Sequence, residues 1–129
     1  MKAIQLNQQA QVTRRFSSED IAAYRALTGD RGLAFGVASG RDIVPGPLLG
    51  GLISCLLGTK LPGRGTNWLK QQLTFPTPAY VGEAISAVVT VTRLRPAKEL
   101  VNLSTLCFNP DGGIVCQGEA LVLVKDLEN

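Results

Sequence analysis

A chain of 129 residues suits one domain with a substantial core and is too short for two. Hydrophobic residues at 45% and charged residues at 18% argue against disorder. A net charge of +3, with no aromatic residues interleaved among basic runs, argues against a nucleic-acid binder.

Met1 to Gln11 is polar, lacks the apolar stretch of a signal peptide, and is expected to be loosely ordered up to about residue 10. A short strand is expected from Val12 to Phe16. Ser17 offers an N-cap with Asp20 three residues on, Ile21, Tyr24 and Leu27 recur at helical spacing, and Gly29 supplies the stop. Residues 31–46 are glycine-rich and aperiodic, so a loop is expected there.

Pro47 fits the first turn of a second helix, where its missing N–H costs nothing. Leu48 to Leu61 is apolar almost all round, the pattern of a buried helix. Gly50, Gly51 and Gly58 interrupt it at roughly 1 kcal/mol each, and close approach of another backbone is the expected compensation. The remainder is β in character. Strands are expected at Thr66–Phe75, stopped by Pro76 and Pro78, then at Ala84–Thr92, Leu100–Phe108 and Ile114–Val124, with a turn over residues 109–113. Trp68, Phe75 and Tyr80 are expected in the core or at a dimer contact. A buried helix followed by an antiparallel meander makes a single α+β domain over residues 1–129.

The three cysteines are odd in number and form no zinc-type cluster, and a reducing cytoplasm is the default expectation. Cys55 sits in an apolar run and is expected in the core, while Cys107 and Cys116 flank a turn and face one another if it is a hairpin. No apolar run approaches the roughly 20 residues that span a bilayer. A soluble, cytoplasmic protein with no membrane partner is the expectation.

Three segments carry a resemblance: Gly29-Asp30, then Ile43-Val44-Pro45-Gly46-Pro47-Leu48, then Leu61-Pro62-Gly63-Arg64-Gly65. Their order and spacing resemble the (R)-specific enoyl-CoA hydratases of the MaoC-like, hot-dog-fold family. That family's motifs run Gly-Asp-x-Asn-Pro-x-His, Ile-Val-His-Gly-Met and Leu-Pro-Gly-x-Gly. Phe75 to Glu83 and Gly118-Glu119-Ala120 are similar to further family segments, so the likeness extends from Phe16 to Val124. It implies an antiparallel sheet wrapped around a buried Gly-rich helix, and a homodimer with its site between subunits. The implied chemistry is addition of water to a trans-2-enoyl thioester on coenzyme A or a carrier protein, with no metal or other cofactor.

The family pairs an Asp with a His as acid and base, and aims a glycine N–H at the thioester carbonyl. Carried over, these positions are Asp30, Phe35 and Gly46. Gly32 and Leu33 replace the Asn and Pro, and Pro45 replaces the second histidine. The chain contains no histidine at all. Asp42, Arg31, Ser39 and Arg41 lie in the same loop, and Tyr24 or Tyr80 can approach from elsewhere. None has the near-neutral pKa of histidine, although Asp30 and Asp42 side by side would split their pKa values. The candidate site is therefore Asp30, Gly46 and Asp42 for chemistry, with Phe35, Pro45, Leu48, Arg64 and Gly65 for binding. The expected function is a hydratase or dehydratase with a remodelled, histidine-free site. A thioesterase using Asp30 as base, or a non-catalytic acyl-binding or structural subunit, is the alternative.

Overall fold

The computed structural model describes residues 3–30 and 42–127. The chain runs through β1 (Gln9–Arg15), α1 (Ser18–Thr28), α2 (Gly46–Thr59), β2 (Thr66–Thr74), β3 (Ala84–Arg95), β4 (Leu100–Phe108) and β5 (Ile114–Val124). A short 3-10 turn, Pro96–Lys98, joins β3 to β4.

The strands form one antiparallel sheet in the order β1-β3-β4-β5-β2. Only β3, β4 and β5 make the expected meander; β1 and β2 close its two ends. Strict alternation in β3 and β4 explains why one face becomes the core. Ile85, Ala87, Val89 and Val91 turn inward from β3, and Val101, Leu103, Thr105 and Cys107 do so from β4. Helix α2 lies across that face, against β1, β2, β3 and β4.

The glycines of α2 have a different explanation from the expected one. Leu49, Leu52, Ile53, Leu56 and Leu57 are buried on one side of the helix, each worth about 2 kcal/mol. That burial outweighs the roughly 1 kcal/mol lost at each glycine. No backbone approaches Gly50, Gly51 or Gly58. A Cβ on Gly50 would meet only the Leu73 side chain at 3.6 Å, and Gly51 and Gly58 face open space. With Ser54 and Cys55 they form the outward face of the helix, so Cys55 is exposed rather than a core residue.

Tight backbone packing occurs instead at Gly118 of β5, which faces Leu73 of β2 on one side and Thr105 of β4 on the other. A Cβ there would overlap the Gln72 carbonyl oxygen. β1 begins at Gln9, three residues before the expected Val12. The turn ahead of it is tied to the sheet by Asn7 N–H donating to the Val91 carbonyl at 2.9 Å and Val91 N–H donating to the Gln8 carbonyl at 2.9 Å. The 109–113 turn forms as expected. Asn109 Oδ1 accepts from the N–H groups of Asp111 at 3.0 Å and Gly113 at 2.8 Å.

That hairpin sets Cys107 directly opposite Cys116, both buried and both free thiols. The hydrogen bond to Cys116, followed by burial, pushes the Cys107 thiol far above its ordinary pKa.

Two outcomes follow from this packing. Gly118→Ala should lower stability by about 2–3 kcal/mol in urea denaturation, because backbone carbonyls yield poorly to overpacking; an unchanged midpoint would show that β2 and β5 separate freely. Thiol titration with a chromogenic disulfide should find one fast thiol in the native protein, Cys55, and all three after unfolding. Three fast thiols under native conditions would contradict the burial of the β4–β5 pair.

Candidate active site

The site is built on the two helices. The first, α1, starts with a full capping box: Ser17 Oγ accepts from Asp20 N–H at 3.1 Å, and Asp20 Oδ2 accepts from Ser17 N–H at 2.9 Å. Asp20 is held below its ordinary pKa, chiefly by that backbone hydrogen bond.

The other end of α1 delivers Asp30. Gly29 takes a left-handed conformation at φ 76° and its N–H donates to the Arg25 carbonyl at 2.8 Å. The chain therefore folds back on the last turn. Thr28 Oγ1 donates to the Tyr24 carbonyl at 2.8 Å and accepts from Asp30 N–H at 3.1 Å. Tyr24 Oη then donates to Asp30 Oδ2 at 2.7 Å. The Asp30 carboxylate that accepts this bond is the main cause that raises the Tyr24 phenol above its ordinary value of 10.0, with burial next.

Helix α2 contributes its N-terminus. Of its first backbone positions, Pro45 and Pro47 carry no N–H, and Leu48 N–H donates to the Pro45 carbonyl at 3.0 Å. Gly46 carries the remaining donor, and at the first position of the helix it has no intrahelical acceptor. The Phe75 ring lies over Gly46, its nearest carbon 2.8 Å from where a Cβ would stand. Sequence patterning leaves Phe75 in the core or at a dimer contact; its cover over Gly46 follows from where β2 ends, which no local signal reveals.

Between the helices lies a cavity of about 460 Å³, open to solvent. Tyr24 and Leu27 of α1, Leu48, Leu52 and Cys55 of α2, and Phe16 after β1 are among its walls. This size is within the range of small-ligand sites. The Arg14–Asp20 ion pair, at 3.4 Å, sits at its rim.

The remaining candidates are dispersed. Asp42 is exposed and is placed by its backbone, whose carbonyl accepts from Val81 N–H at 2.9 Å beside the Ile43–Tyr80 bridge. Among the described residues the side chain found beside the Asp30 carboxylate is Tyr24. Arg64 and Gly65 are exposed in the turn between α2 and β2, where Gly65 has φ 89°. Phe35 lies outside the described residues, as do Arg31, Gly32, Leu33, Ser39 and Arg41. No group of three or more metal-ligating side chains occurs among the described residues.

No protein-family model matches the chain. Individual proteins do. The chain is 38% identical over 128 residues to an (R)-specific enoyl-CoA hydratase of Aeromonas caviae, covering 94% of this chain and 96% of that one. It is 34% identical over 122 residues to a 3-hydroxybutyryl-CoA dehydratase of Methylorubrum extorquens, covering 89% and 77% respectively. The solved structure of an (R)-hydratase from A. caviae superposes with a TM-score of 0.87 over 94% of this chain and 97% of that one, at 38% identity. The identity and coverage shared with the A. caviae hydratase, in sequence and in structure, show that the chain belongs to the MaoC-like, (R)-specific enoyl-CoA hydratase family of hot-dog proteins.

Proposed function

We propose that this protein is a hydro-lyase that adds water to, or removes it from, an acyl thioester carried on coenzyme A or an acyl carrier protein. The observation that carries this is the 38% identity to an (R)-specific enoyl-CoA hydratase across 96% of that enzyme. Asp30 is the acid/base group, and Gly46 N–H is the donor to the thioester carbonyl, where negative charge gathers as C2 becomes carbanion-like. The Gly46 N–H, which has no backbone acceptor among the described residues, supports the second role, since the positive end of a helix favours that charge. Leu48 belongs to the acyl wall with Pro45, and Arg64 and Gly65 receive the carrier. Asp42 is kept as a peripheral carboxylate of the site. No cofactor is required.

The active form is a homodimer. β2 ends the sheet, and Trp68 (41% exposed), Leu69 (49%) and, just beyond, Phe75 (49%) are unusually open for their size. An open edge carrying large apolar groups is a template for a second copy. The protein's setting is a reducing cytoplasm, where free thiols such as Cys55, Cys107 and Cys116 persist.

The first test follows loss of enoyl-thioester absorbance from crotonyl-CoA, with free-thiol release in parallel. Hydration without thiol release, falling at least about 10²-fold in Asp30→Asn, is the expected result. Thiol release alone would replace hydration with hydrolysis. In light scattering, the wild-type protein should run as a dimer and Leu69→Lys should shift it towards monomer. A monomeric wild-type protein would remove the β2 interface.

A further inference from the structure

We propose that Tyr24 is the second proton-transfer group of this site and takes the place of the missing histidine. This rests on the hydratase reading above, with Asp30 as its carboxylate.

Hydration of an enoyl thioester requires two proton transfers. One group takes a proton from water as oxygen bonds to C3, and a proton must reach C2. The chain has no histidine to share this work. Tyr24 meets the geometric requirement: its hydroxyl is 2.7 Å from Asp30 Oδ2, and its side chain lines the cavity together with Leu48, two residues after Gly46. The αL turn at Gly29 and the Thr28 hydroxyl hold tyrosine and carboxylate in register.

The steps balance without any further reactant. Asp30 accepts a proton from water while the water oxygen bonds to C3. The C2=C3 electron pair moves onto C2 and the thioester carbonyl. The Tyr24 O–H then gives its proton to C2, the C–H bond forming from that pair. The phenolate recovers a proton from the Asp30 carboxylic acid across their hydrogen bond. One water is consumed and both side chains return to their starting state.

The electrostatics order these transfers. While Asp30 is ionised, its accepted hydrogen bond is the largest influence on Tyr24, and its negative charge adds to it; both keep the phenol protonated. Both disappear once Asp30 has taken the proton from water. Tyr24 thus becomes a stronger acid when C2 needs a proton. Because the phenol is raised above its ordinary value, it carries its proton throughout the neutral range and loses it only in strong alkali.

Tyr24→Phe preserves the ring and its packing while removing the proton. It should lower kcat on crotonyl-CoA about 10²-fold, leave KM within about twofold, and abolish the alkaline fall in the wild-type rate, which is displaced above the ordinary tyrosine range. Tyr80→Phe, removing the only other tyrosine, should change none of these. In Tyr80→Phe protein, tyrosinate absorbance then reports Tyr24 alone, and its titration should move to lower pH when Asp30→Asn is added. Unchanged kcat and an unchanged alkaline limb in Tyr24→Phe, with Asp30→Asn inactive, would overturn the Tyr24 assignment and leave the hydratase reading standing. A titration indifferent to Asp30→Asn would also overturn it. A wild-type protein that hydrates no enoyl thioester would sink both.

Discussion

The register of β2 against β5 depends on the absence of a side chain at Gly118, and much of the site depends on that register. With only hydrogen there, the Gln72 carbonyl comes in close and Leu73 pairs opposite Gly118. The strand then ends at Thr74, which places Phe75 over Gly46 and Leu73 beside Gly50. A slip of one residue would turn every β2 side chain to the other face and uncover the start of α2. A glycine in a late strand therefore governs the helix N-terminus that the proposed carbonyl donor occupies.

Helix α2 has two unlike faces, and the difference serves the site. Its leucines and isoleucine hold it on the sheet. Its outward face is small, and Gly51 and Cys55 leave room for the cavity shared with α1. Larger side chains there would reach towards Tyr24 and Leu27. In this position the glycines are better explained by the open space they leave than by any backbone they admit.

In the proposed mechanism, the absence of histidine changes how protons are handled rather than where the thioester would lie. A histidine can give or take a proton near neutral pH by itself. A carboxylate and a phenol sit on opposite sides of neutrality, and neither does both tasks alone. Joined by a 2.7 Å hydrogen bond they form a coupled pair in which the state of one sets the acidity of the other.

Features set by adjacent residues are legible in the amino-acid sequence itself. The Ser17–Asp20 capping box, the Gly29 stop, the Asn109 turn and the limits of β4 and β5 are decided by local hydrogen bonds and backbone angles, which neighbours in the chain supply. Asp30 and Gly46 become candidates in a different way, through the resemblance of their short segments to the motifs of the family. Tertiary structure alone decided the placement of β2 beside β5, the outward turn of Cys55, the Phe75 cover on Gly46, and the cavity that Tyr24 shares with Leu48. Each of these depends on which distant segments meet. Hydrophobic periodicity marks an apolar face without naming the surface that will cover it, and in α2 an almost continuous apolar run conceals which side remains open.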